Sequence, residues 1–190
     1  MDFKKHFEKA WKLTLQFITP VILMTLVMFV LSFVTFGILA PVMMAGYMQS
    51  ILLMVREGRE PKIQDIFSHM HLFFPLLGFG IVAFIALLIS SMLFIVPGII
   101  VALAMTYSCL YMLPLMTDRE MGLIEAVKES YLMASQGAVS DHIVVMIIFL
   151  FISAIGSSVF IGWLFTQPLA TIFLLSVYEE KMSPASQARG

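Results

Sequence analysis

Charge is what this sequence has least of. Lys, Arg, Asp and Glu make up 12% of its 190 residues and nearly cancel, leaving a net charge of -1. A nucleic-acid partner needs a basic field, so no nucleic acid is expected. Cysteine is almost missing as well: Cys109 stands alone inside an apolar run, which allows no intrachain disulfide and no multi-cysteine metal site. The long apolar runs hold no Asp, Glu, Lys, Arg or His. Those groups mark proton relays, ion sites and intramembrane hydrolases, and their absence argues against an ion-coupled transporter. Enzyme signatures are missing too: no His-Glu-x-x-His, no Gly-x-Ser-x-Gly, no phosphate-cradling glycine loop, and no base in the spans for Ser157 or Ser158. Neither enzymatic activity nor a cofactor is expected.

What the chain has is hydrocarbon. At 61% hydrophobic residues and a mean hydropathy of +1.00, its solvent is a bilayer. The spans are read at residues 21–40, 42–55, 72–96 and 99–117, a fifth from Ile143 and a sixth ending at Tyr178. The turns between paired spans carry no charge: Gly37 to Pro41, Pro97 with Gly98, and either residues 156–158 or Gly162. The run 42–55 is about 14 residues, roughly 21 Å of helix against a hydrocarbon core of about 30 Å. It needs shielding by neighbours, flanking residues such as Ile38 and Leu39, or a thinned bilayer. The first run is too long for an export signal, and Pro41 after Ala40 suits no cleavage site.

The charged connections recur. "REGREPKIQ", residues 56–64, has counterparts about sixty residues on: Glu60, Glu120 and Glu180 are evenly spaced, with Arg59, Arg119 and Glu179 before them. Phe3, Ile63 and Leu123 coincide at that offset, as do Phe7, Phe67 and Val127, and Trp11, His71 and Tyr131. Positions at i, i+4 and i+8 form one helical stripe, predicted here as the buried one. The surface helices are placed at residues 2–19, 63–71 and 123–137, with Pro20 ending the first, Gly137 capping the third and Pro114 kinking the fourth span. The predicted fold is all-α and integral to the membrane. Six transmembrane helices form three hairpins, each preceded by a cytoplasmic amphipathic helix, as a threefold internal repeat of about 60 residues. Any six-span protein with short loops gives a similar period, so plain spacing stays open beside true repetition. Residues 1–182 make one domain and 183–190 a mobile polar tail. All eleven Lys and Arg fall on one side, so both termini are cytoplasmic and the chain is assigned to the inner membrane.

Candidate contacts to lipid headgroups or a partner are Arg56, Arg59, Lys62, Arg119, Lys128, Asp141 and His142. Gln49, Ser50, Thr106, Tyr107, Ser108 and Tyr111 either bond across the bundle or line a cavity open to the cytoplasm, Gln49, Tyr107, Ser108 and Tyr111 being the first candidates for its lining. The sixteen methionines read as flexible apolar filler rather than a copper site. Small residues (Ala45 with Gly46, Gly78 with Gly80, Ser90 with Ser91, Ser153 through Ser158) mark close helix approach. The function expected is a non-catalytic membrane module that binds lipid, or a membrane or cytoplasmic protein partner, through its charged face. The alternative is a passive channel or a lipid or small-solute transporter. Oligomeric state is not encoded in any pattern here.

Two stretches carry a family resemblance. Residues 96–134 hold Pro97 and Gly98 at a turn, Tyr107 and Pro114 in a span, and Glu125, Ala126, Lys128 and Ser130 in a surface helix. Residues 40–67 hold Pro41, Gly46, Gly58, Pro61 and Asp65 through Phe67. The pattern resembles bacterial and archaeal multi-pass membrane families of unknown function related to the membrane domain of some glycerophosphodiester phosphodiesterases. The resemblance implies the six-span architecture. With no soluble phosphodiesterase domain here, it implies no catalysis.

Overall fold

The computed structural model describes residues 2–93, 95–135, 139–157 and 160–182. It is 88% helical, with no strand among the described residues. The helices are α1 (Phe3–Gln16), α2 (Ile18–Val34), α3 (Ala40–Glu57), α4 (Phe73–Leu93), α5 (Ile95–Cys109), α6 (Met112–Asp118), α7 (Leu123–Ser135), α8 (Val139–Ser157) and α9 (Phe160–Met182). Two stretches, Ile63–Met92 and Ile95–Asp118, are long and apolar enough to cross a membrane. The number rises to four if the bent pair α1 and α2, which meet at 88°, and the pair α7 and α8 each count as one. Six spans and a threefold repeat are not established by helix length and composition.

The pairs α2 with α3, α4 with α5, and α8 with α9 pack as hairpins. At the centre lies α3, the short run of the sequence, and it is shielded by its neighbours: Val42, Met43, Ala45, Tyr47, Ile51, Leu52 and Met54 are all buried. α3 ends at Gly58, whose φ of +70° gives the left-handed cap that returns its N–H to the Met54 carbonyl. The outer parts of α4 and α5 expose Val82, Phe84, Ile99 and Ile100, as a lipid-facing hairpin does.

The surface segments are not the uniform helices predicted. The second consists of two 3-10 turns, Ile63–Phe67 and Met70–Leu72, because the Asp65 carboxylate folds back onto the Lys62 N–H at 3.2 Å and fixes a tight turn. The predicted buried stripe holds only in part: Phe3, Leu123 and Val127 pack against the core, but Ile63, Phe67 and His71 are exposed. In α1 the buried residues are His6, Ala10 and Thr14, while Phe7, Trp11 and Leu15 stay 42–48% exposed; in α7 they are Ala126, Ser130, Met133 and Ala134, and Tyr131 is half exposed. Small and polar side chains let these segments lie close on the bundle. The 3-10 turns pack on α3, α7 on α5 and α6, and α1 on α9, so each segment lies against the helix that closes the hairpin before it, the last serving the first.

Several breaks fall elsewhere than expected. The first occurs at Phe17, and Pro20 sits in the first turn of α2, where its missing N–H matters least. Pro97 and Gly98 lie in the first turns of α5, and a Cβ on Gly98 would come 3.3 Å from Ser91, a close crossing with α4. Pro114 divides its span into α5 and α6: its ring excludes the ordinary helical bond to the Leu110 carbonyl, and the Tyr111 N–H goes to Ser130 Oγ at 3.1 Å. Gly78 and Gly80 have open space around them rather than a neighbouring helix. Gly162 is inside α9, the last helix runs on to Met182, and Gly137, Ser158 and the tail 183–190 lie outside the described residues.

One buried bond tests this core. Thr25 Oγ1 donates to the Val21 carbonyl, so at 3.0 Å it accepts from the fully buried Tyr47 hydroxyl. Thr25→Val is expected to cost about 2 kcal/mol by stranding that hydroxyl, against about 1 kcal/mol for Tyr47→Phe. Thermal unfolding in detergent checks the order.

Candidate functional site

The charged end of the bundle is assembled from three helix termini. Arg56 in the last turn of α3 donates to both oxygens of Asp118, the last residue of α6, at 2.7 and 2.9 Å. Its Nε and Nη2 reach Glu179 Oε1 on α9 at 2.9 and 2.5 Å. Partners 62 and 123 residues away in sequence thus meet on one guanidinium, and Tyr178 adds a bond to Asp118 at 3.2 Å. The bonds to Asp118, then those to Glu179, push Arg56 above its ordinary value, so it is always charged. A planar fork suits this task, since a lysine ammonium presents no such bidentate geometry.

Around this junction the surface segments are tied down. Asp65 accepts from Ser50 Oγ on α3 at 2.6 Å and from Arg59. His6 on α1 contacts Ser176 Oγ through Nδ1 at 2.9 Å and Glu180 Oε2 through Nε2 at 2.6 Å, both on α9. Behind α7, Tyr107 donates to the Ala134 carbonyl at 3.1 Å and meets His142 edge to face at 4.7 Å. Lys181 donates to the Met133 carbonyl at 2.7 Å and lies over the Tyr111 ring at 5.3 Å. Burial lowers Lys181 from its ordinary value, partly offset by Asp141.

The residues singled out from sequence divide accordingly. Arg56 and Arg59 are engaged within the protein, and His142 is 1% exposed with Nε2 at 3.3 Å from the Tyr107 carbonyl oxygen. Asp141 is half-buried at the start of α8, whereas Lys62, Arg119 and Lys128 are exposed and enter no ion pair among the described residues. Tyr107 and Tyr111 pack against rings, Ser108 is half-buried, and Gln49 Oε1 is buried without a protein partner.

A groove of about 200 Å³ opens beside them. Its walls are Met44 and Met48 of α3, Thr106 and Cys109 of α5, Leu110, Leu113 of α6, Phe149 of α8 and Leu174 of α9. Of the residues expected from sequence to line a cavity, Thr106 does so, whereas Gln49, Tyr107, Ser108 and Tyr111 each lie one position from a wall residue. The spacing of Thr106, Cys109, Leu110 and Leu113 marks a single helical face, but nothing in the spacing says which faces of different helices meet. Among the described residues no group of three or more His, Cys, Asp or Glu is arranged to hold a metal. Comparison with protein-family models, with characterised proteins and with solved structures yields no match to this chain.

Proposed function

We propose that the chain is a non-catalytic integral module of the inner membrane, with six spans in three repeated hairpins, whose cytoplasmic face holds anionic lipid headgroups through α1. One observation carries the reading. α1 presents Lys5, Lys9 and Lys12 exposed and in no ion pair among the described residues, with Lys4 in only a solvent-exposed 3.7 Å pair to Glu8. Beside them stand the half-exposed Phe7, Trp11 and Leu15. Cationic side chains flanking an uncovered apolar stripe match the boundary between headgroups and acyl chains. The other connections carry mixed charge and give no comparable field. The kinship with the phosphodiesterase-associated membrane families rests on the residues quoted above.

Each lysine near an anionic surface contributes about 1 kcal/mol, so replacing four changes lipid preference by orders of magnitude. The test counts lipids retained on the protein from mixed anionic and zwitterionic bilayers, by native mass spectrometry. The variant K4Q/K5Q/K9Q/K12Q is expected to lose anionic preference at least tenfold. Retained preference, or its loss instead on K62Q/R119Q/K128Q, would sink the assignment to α1.

The six-span arrangement has its own test. With Cys109 replaced by Ala, cysteines placed at Ile38 and Glu60 should react with an impermeant maleimide from opposite sides of the membrane. Labelling of both from one side is incompatible with α3 as a span.

A further inference from the structure

The groove between α3, α5, α6, α8 and α9 takes no part in the headgroup contacts above. It follows Thr106 to Leu113, eight residues whose seven steps come to about 10 Å at the helical rise. Its lining has no charged residue, and its one hydroxyl, on Thr106, is already donated to the Ala102 carbonyl at 2.9 Å. A polar or ionic occupant would be desolvated there without compensation. Three of the wall side chains, Met44, Met48 and Cys109, carry polarizable sulfur, and the two methionines rotate freely enough to follow a flexible occupant. The groove is not enclosed, and its α5 and α6 wall lies in a stretch long and apolar enough to cross a membrane, so in a membrane-integral chain bilayer hydrocarbon is the medium at hand. Protein interiors leave few voids of this size unfilled.

A further polar group touches the wall from behind, through Met44. The Gln167 amide on α9 donates to the Met44 sulfur at 3.9 Å, a weak bond to a poor acceptor. An ester carbonyl or hydroxyl oxygen is a better acceptor and would draw that N–H away from sulfur.

From these features we infer that the groove binds one acyl chain of an ester- or hydroxyl-bearing membrane lipid, with Gln167 bonding the oxygen. The inference rests on the chain being integral to the membrane but not on α1 as the headgroup site. Anionic preference retained in K4Q/K5Q/K9Q/K12Q with the groove still occupied would overturn only the latter.

The test uses the full chain in bilayers containing a phospholipid with a diazirine midway along one acyl chain. After irradiation, adducts are mapped by mass spectrometry. Adducts at Met44, Met48 and Cys109 should exceed by at least fivefold those at Ile81, Val82 and Ile100, which face outward and set the background. Met48→Phe and Cys109→Phe, which fill the groove, should bring its labelling to background and leave the outward positions unchanged. Gln167→Leu should lower adduct yield at Met44 at least twofold. Groove labelling no higher than background, or unchanged in both filled variants, would overturn the proposal. If the filled variants do not fold, Cys109 itself reports: lipid added to the detergent-solubilised wild type should slow its reaction with N-ethylmaleimide at least fivefold. No slowing would equally reject a bound chain.

Discussion

Gly46→Ala is expected to lower the stability of this protein by about 3 kcal/mol or more, a larger effect than the same change at any other glycine among the described residues. Gly46 lies on α3 under the first 3-10 turn, and a Cβ there would stand 2.5 Å from the Asp65 carbonyl oxygen and 2.7 Å from the Ile66 carbonyl carbon, with the Ile66 oxygen closer still. These are backbone atoms, held by Asp65 through Ser50 and by the fully buried Ile66, so they cannot swing aside as a side chain would. For a chain of this length the loss corresponds to roughly 6–12 °C in Tm. Gly80→Ala is the control: nothing lies within 4 Å of the added carbon, and α4 should gain up to about 1 kcal/mol from the lower entropy of the unfolded chain. Thermal unfolding of the two variants in the same detergent reads the contrast. Similar shifts in both would mean that the turn does not rest on α3.

Arg56→Gln should come next, at about 2 kcal/mol. Removing the guanidinium leaves the Asp118 side chain, 12% exposed, and Glu179, 25% exposed, as two carboxylates without their shared cation. A fully buried pair broken this way costs about 3–5 kcal/mol, but Arg56 is 37% exposed and solvent screens part of the loss. The double variant R56Q/D118N should recover about half of it, because one of the two stranded charges is then gone. Arg56→Lys should not rescue fully, since one ammonium cannot serve both oxygens of Asp118 and also Glu179. Full additivity of R56Q and D118N in unfolding measurements would show that no coupling exists across the junction.

The helical class, the uncharged turn around Gly37 and the clustering of charge were all legible in the residues. The faces of α1 and α7 were not, for a reason specific to the solvent. In water a helix buries its large apolar stripe, and Phe7, Trp11, Leu15 and Tyr131 would have been the core. In a bilayer those side chains are stable against lipid, and contacts between helices go to small or hydrogen-bonding residues. His6, Ala10 and Thr14, or Ala126 and Ser130, look unremarkable in a hydropathy profile, yet they are what the bundle touches. Gly46, chosen from the sequence as a small residue at a helix contact, is pressed by the backbone of the following turn, whereas Gly78 and Gly80 obey the same rule of thumb and meet nothing. Arg56 was singled out as a contact for outside ligands. Its bonds go inward because Asp118 and Glu179, distant in sequence, end their helices beside it.

The docking of α1 on α9 also sets an order of events during synthesis. The turns after α3 and helix α7 each meet a helix already made, but α1 is made well before its partner α9. At about 5–20 residues per second, the roughly 160 residues between them leave α1 undocked for some 8–32 s. Until Ser176 and Glu180 are made, His6 lacks both of the side-chain partners that tie α1 to α9, so the seating of α1 reports that α9 is in place.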